Sequence, residues 1–250
     1  MAKDLKAKND TLPVDFDFAS DSGAGMDNAD RDSFAIPFLR VLQKISPQCD
    51  EGDAQYVEGA RGGMLFNSVT QKVYDGKIGV IFLPCAFQRR FIQWGPRSGE
   101  GQGYKGDFTV DQVNEMRAAG QLHEDAGVIT LDGDRLVDTR SHFGLLIDDE
   151  AVTQVILALS STQIKKSKQL MSMLSSARIN GQQPPTWMNK IRITSVSESN
   201  DKGSWYGLRF EAEGFIESAA LYEAGKSFHS TVSAGEAKVS YDSASEDDKF

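Results

Sequence analysis

A chain of 250 residues, 40% hydrophobic and 25% charged, can bury one large core or two small ones. It has no apolar run near the roughly 20 residues that cross a bilayer and no apolar stretch behind its charged N-terminus, so the expectation is a soluble, cytoplasmic protein with no membrane partner. The net charge of −9 taken whole argues against nucleic acid, which calls for clustered Lys and Arg.

The charge is unevenly placed. Residues 1–33 carry four basic and eight acidic side chains. They are rich in Asp, Ala, Ser, Gly and Asn and poor in large apolar residues, so they are expected to be disordered. The folded domain is expected over 34–228, which is near neutral at 21 basic against 23 acidic residues. Its first stretch, Ile36 to Pro47, shows apolar residues at helical and strand spacings alike and stays open between the two. Strand-like regions follow at 63–74, 78–94, 142–160, 188–197 and 205–216, where β-branched and aromatic residues dominate and turn residues punctuate. The second is interrupted by Pro84, and the third turns at Asp148-Asp149-Glu150.

Two helices are predicted. One lies near Val110 to Ala119, with Thr109 and Gln112 at capping-box spacing. The other runs from about Thr162 to Arg178 and ends at Asn180-Gly181. Residues 162–192, which contain it, hold six Lys or Arg and no acid. The expected fold class is mainly β. The order of strands and helix is that of an OB-fold barrel, with one helix between the third and fourth strands. A long insertion at about residues 96–140 carries the second helix. Residues 229–250, with two basic and five acidic side chains, are expected to be a flexible linker and an acidic tail. Cys49 and Cys85 form no CxxC or Cys/His cluster, which points to a reduced chain without a structural zinc.

The chain ends Tyr241-Asp242-Ser243-Ala244-Ser245-Glu246-Asp247-Asp248-Lys249-Phe250, after the small-residue polar stretch HSTVSAGEAKVS. This resembles the bacterial and bacteriophage single-stranded-DNA-binding proteins, which join an OB-fold to a flexible linker and an acidic, Phe-terminated tail. Lys249 departs from that pattern by interrupting the acids. The resemblance implies sequence-tolerant binding of single-stranded DNA in phage replication or recombination. It also implies that Glu246, Asp247, Asp248 and Phe250 recruit replication or recombination proteins, the acids steering the tail and the Phe anchoring it.

Single-stranded DNA is held by cations that track phosphates and flat rings that stack on bases. The run from Phe87 to Arg97 interleaves the two, offering Arg89, Arg90, Phe91, Trp94 and Arg97. In a strand, Arg89 and Phe91 share one face and Arg90 and Trp94 the other. One face must then be buried, and a two-sided strand with core aromatics is the alternative. Lys105, in the glycine-rich loop Gly99 to Gly106, could wrap DNA with Arg97. Lys165, Lys166 and Lys168, then Lys190 and Arg192, make a positive field, although the lysines equally fit a solvated helix face. Trp187, after Pro184-Pro185, has little reason to be core in a stiff polar loop. Trp205 and Arg209 complete the set in the last hairpin.

Gly101 to Gly106 matches GxGxxG, but no βαβ unit surrounds it. Asp132 with Asp134, and Asp148-Asp149-Glu150, could serve a metal-dependent nuclease but read better as hairpin turns. No GxSxG or HExxH is present, so no enzyme, catalytic residue, metal or cofactor is expected. The alternative from a different class is a phage assembly or host-inhibitor protein that binds protein only. Oligomeric state stays open, a homodimer included.

Overall fold

Branched and aromatic residues at two-residue spacing fill the middle of the chain, and they form strands there. The computed structural model describes residues 24–26, 35–96, 100–148, 151–201, 203–237, 239 and 241. Contacts divide the chain into Met1–Phe34 and Ala35–Phe250. The first unit is described only at the exposed turn 24–26, so most of the segment expected to be disordered lies outside the described residues. In the second unit the strands are β1 (Leu39–Val41), β2 (Leu65–Asn67), β3 (Val73–Tyr74), β4 (Val80–Trp94), β5 (Tyr104–Phe108), β6 (Leu122–Asp125), β7 (Val128–Leu131), β8 (Asp134–Ile147), β9 (Val152–Ser160), β10 (Asn189–Asn200) and β11 (Gly203–Phe215). The helices are α1 (Val110–Ala118), α2 (Ile164–Ser176) and α3 (Ala219–Ser233). The protein is mainly β, and among the described residues its strand pairs are antiparallel apart from an isolated parallel bridge between Phe38 and Ile156.

The spine is the pair β4 and β8, joined from Ile81 opposite Ile147 to Trp94 opposite Arg135. At one end β10 and β11 extend it beside β4, and β9 lies beside β8. At the other end β5 flanks β4, and the β6–β7 hairpin flanks β8. Pro84 is tolerated in this central strand because the register shifts between Pro84 and Ala86, and a bulge is where a missing N–H does least harm. Opposite it, Gly144 leaves room for Phe82. A Cβ there would fall 2.3 Å from the Phe82 ring and 2.4 Å from the Leu83 carbonyl oxygen.

Each face of the spine is covered. On one, Phe82, Leu146, Leu157, Ile193 and Phe210 form a core closed by Leu170 and Leu174 of α2. On the other, Leu83, Phe143 and Ile156 pack under Phe38 and under Phe228 and Val232 of α3. Val113 and Leu136 of the insertion form a further core with Phe91 of β4. The insertion's helix α1 begins with the expected capping box of Thr109 and Gln112. The ambiguous stretch Ile36 to Pro47 resolves into β1 and the start of a 3-10 turn at Pro47–Cys49.

Two expectations change. The linker expected from residue 229 begins inside α3, and Tyr241 is buried against Phe38, Trp94 and Tyr104. Ser218 caps α3, and Leu221, Gly225, Phe228 and Val232 recur at helical spacing, so a Ser/Thr/His-rich composition did not mean a loop. The expected barrel is not closed: among the described residues no ladder joins β9 to β11. Side-chain amides occupy the edge instead. Gln43 takes both Tyr206 N–H and C=O, at 2.8 and 2.9 Å, and Gln163 Oε1 accepts from Leu208 N–H at 3.4 Å.

Candidate nucleic-acid interface

The Arg/aromatic run lies on the outer half of β4, and its alternation divides it between two faces. Arg89 donates Nε and Nη2 to Asp138 of β8 at 2.9 and 2.7 Å. That bond raises the Arg89 pKa above its ordinary value, and the guanidinium lies over the Phe91 ring. Phe91 itself is only 5% exposed, inside the insertion core. It is a core ring and not a stacking platform, because α1 covers that face. On the opposite face Arg90 sits 3.5 Å from Asp107. Trp94 is half-buried edge-on to Tyr104 and Tyr241, with its indole Nε1 buried and unpartnered among the described residues. Arg97 lies outside the described residues. Lys105 is exposed on β5.

On α2, Lys165 and Lys168 are exposed, while Lys166 pairs with Glu198 of β10 at 2.7 Å. Trp187 is not a free ring. It rests on Gly225, where a Cβ would come 2.7 Å from its own Cβ, and it meets Tyr222 and His229. The unforeseen helix α3 is what covers it. Lys190 is half-buried. Arg192 forms a forked pair with Glu213, and Arg209 pairs with Glu211 at 2.6 Å. Glu246, Asp247, Asp248 and Phe250 lie outside the described residues.

Trp205 is the point at which three cavities meet. One, of about 150 Å³, follows the seam between β9 and β11 over an apolar floor of Leu157, Leu159 and Leu208. A second opens between Trp205, Thr162 and Lys165, and a third between Trp205, Tyr206, Lys44 and Ile45. Ile45 is 64% exposed, large and apolar beside two rings. The Trp205 indole Nε1 donates to Glu198 Oε2 at 3.1 Å. Burial pushes the Glu198 carboxyl up, but Lys166, Trp205 and Lys165 outweigh it and hold the group below its usual range.

Trp205 and Lys165 were legible in the sequence as site residues, whereas Gln43, Lys44, Ile45 and Glu198 were not. The available signal was Ile45, a large apolar residue between Lys44 and Ser46-Pro47 at the polar end of the ambiguous stretch Ile36 to Pro47. Asp148 and Asp132 serve turns, and Asp134 opens β8 and accepts from Gln93 Nε2 at 2.8 Å. Asp148 Oδ1 accepts from Ala151 N–H at 2.9 Å, and its Oδ2 meets Lys72 and Tyr74, each at 3.2 Å. Asp132 and Gly133, both at positive φ, make the two-residue turn between β7 and β8. Asp149 and Glu150 lie outside the described residues. Much of the GxGxxG segment is the strand β5. No helix of the described residues is long and apolar enough to cross a membrane.

Fold and site together define a mainly antiparallel β protein with exposed lysines and two rings gathered at one seam. The chain belongs to the Pam3 phage gp34-like protein family, whose sequence model matches residues 6–238. No curated protein and no solved structure matches it.

Proposed function

We propose that this protein binds single-stranded DNA without sequence preference, on an OB-type scaffold, in phage replication or recombination. The observation that carries the reading is the order of the five principal strands. β10, β4, β8 and β9 lie side by side in that order, so the fourth strand returns beside the first, as in a Greek key. β11 then pairs with β10, and α2 falls between the third and fourth strands. A five-stranded, partly open Greek key is the OB arrangement, and its loops between strands one and two and between four and five border the oligonucleotide. Here the second of those loops is the turn leading into Trp205. The groove supplies rings for stacking and Lys44 and Lys165 for phosphates. The family's phage name supports the setting, and the acidic tail supports recruitment of a replication or recombination protein through Glu246, Asp247, Asp248 and Phe250.

The test is fluorescence anisotropy with single- and double-stranded oligonucleotides across a salt series, on the wild type and Trp205→Ala. Single strands should be preferred. Trp205→Ala should cost about 1–3 kcal/mol of binding with little change in melting temperature. Equal affinity for duplex, or affinity that ignores salt, refutes the reading. A second reading, a phage assembly or host-inhibitor protein that binds protein only, is favoured by the ion pairs on Arg89, Lys166, Arg192 and Arg209. It predicts no DNA affinity even at low salt.

A further inference from the structure

Glu198 and Trp205 are direct cross-strand partners on β10 and β11. The two carboxylate oxygens of Glu198 go to different groups: Oε2 accepts from the Trp205 indole N–H at 3.1 Å, and Oε1 meets Lys166 Nζ at 2.7 Å. The carboxylate has a fixed seat. Gly207 lies against it, and a Cβ there would come 2.6 Å from Oε2. The Lys166 and Glu198 side chains are 16% and 17% exposed, against 60% and 45% for the Arg209–Glu211 pair on the next strand. Solvent opens the second pair easily and the first far less easily.

An indole has one donor and no acceptor. With that donor tied, the ring cannot swing away, and a ring fixed before binding loses less entropy when a base stacks on it. The other oxygen acts on charge. A lysine bonded to a carboxylate adds no net positive charge to the groove and releases no counterion to a phosphate.

We propose that Glu198 is the positioning and charge-masking residue of the single-strand site: it fixes the Trp205 ring at the groove and keeps Lys166 out of the phosphate path. The inference rests on the DNA-binding reading for its second half only. Glu198→Gln separates the two roles, because the amide oxygen can still accept from the indole while the charge is gone. Glu198→Ala removes both.

The experiment uses the full chain, with thermal melts to show that each variant folds. Without DNA, the indole N–H resonances are followed by nuclear magnetic resonance, with Trp205 assigned from Trp205→Phe. The Trp205 N–H should stay protected from solvent exchange in Glu198→Gln and lose protection in Glu198→Ala. Protection unchanged in Glu198→Ala overturns the positioning role, whatever DNA does. With a thymidine oligonucleotide, Glu198→Gln should bind about fivefold tighter than wild type at about 0.1 M salt, and its log–log salt slope should steepen by about 0.7, the value of one added contact. Lys166→Gln in the Glu198→Gln background should cancel both gains. DNA binding with an unchanged slope in Glu198→Gln overturns the masking role alone. No binding by the wild type at any salt refutes the DNA-binding reading and the masking role with it, while the indole N–H still decides positioning.

Discussion

Acid should destabilise this protein through His142. The ring sits on β8 at 1% exposure, with Nε2 2.8 Å from the Ser167 hydroxyl of α2 and the Phe87 ring beside it. Burial holds the imidazole neutral and lowers its pKa from 6.5 to about 4, and the charge of Arg140 adds to the effect. The unfolded chain therefore takes up a proton as pH falls below 6.5, and the folded chain does not until about pH 4. The stabilisation is full above the unfolded value, is lost as pH falls through that window, and levels off below it. The difference of about 2.5 pH units, at 1.36 kcal/mol each, is about 3 kcal/mol, a large share of the roughly 5–15 kcal/mol that holds a domain together. Urea unfolding of the wild type and of His142→Gln at about pH 7 and about pH 4 measures it. Carboxylates titrate alike in both proteins, so the wild type should lose about 3 kcal/mol more than the variant between the two pH values. If the difference between them does not change with pH, His142 is not held neutral in the folded core.

Trp187→Ala should cost about 3–5 kcal/mol of stability, because the ring packs on Gly225 and Tyr222, while the DNA affinity of the folded protein stays put; circular dichroism melts beside binding curves read both. Gly144→Ala should cost at least the roughly 1–3 kcal/mol of an overpacked core, since the new methyl meets the Phe82 ring and the Leu83 carbonyl; a melting temperature equal to wild type would show that β8 yields there.

Much of the β architecture was legible because it rests on local pattern. The strand regions, both predicted helices, the capping box of α1 and the hairpin role of the aspartates all follow from spacing and turn chemistry within a few residues. Helix α3 carried a readable pattern too, in Leu221, Gly225, Phe228 and Val232, but its Ser and Thr content drew the eye toward a linker. What spacing could not reveal was which side of a strand another element covers. Phe91 and Trp187 read as available rings, and each is covered by a helix, α1 and α3 respectively. The open seam was equally hidden, because it depends on Gln43 meeting Tyr206 across 163 residues of sequence.

The acid-free span 162–192 shows the same limit for charge. Its partners come from outside it: Glu198 answers Lys166 and Glu213 answers Arg192, each from β10 or β11. A window of sequence without acids is not a surface without acids. This bears on how DNA binding should respond to salt. A cation already bonded to a carboxylate exchanges one anion for another when a phosphate arrives, so it contributes little counterion release. Among the ten described candidate cations, Lys44 of the groove included, Arg89, Arg90, Lys166, Arg192 and Arg209 are so paired. Lys44, Lys105, Lys165, Lys168 and Lys190 have no ion pair among the described residues. If the protein binds single-stranded DNA as proposed, then at about 0.7 per contact the five unpaired lysines give a log–log slope of about −3.5, and all ten cations would give about −7. Anisotropy titrations over a salt series distinguish the two. A slope near the steeper value means that the strand breaks the internal ion pairs and that their carboxylates turn back to solvent, in which case replacing Asp138 by Asn should leave the slope unchanged.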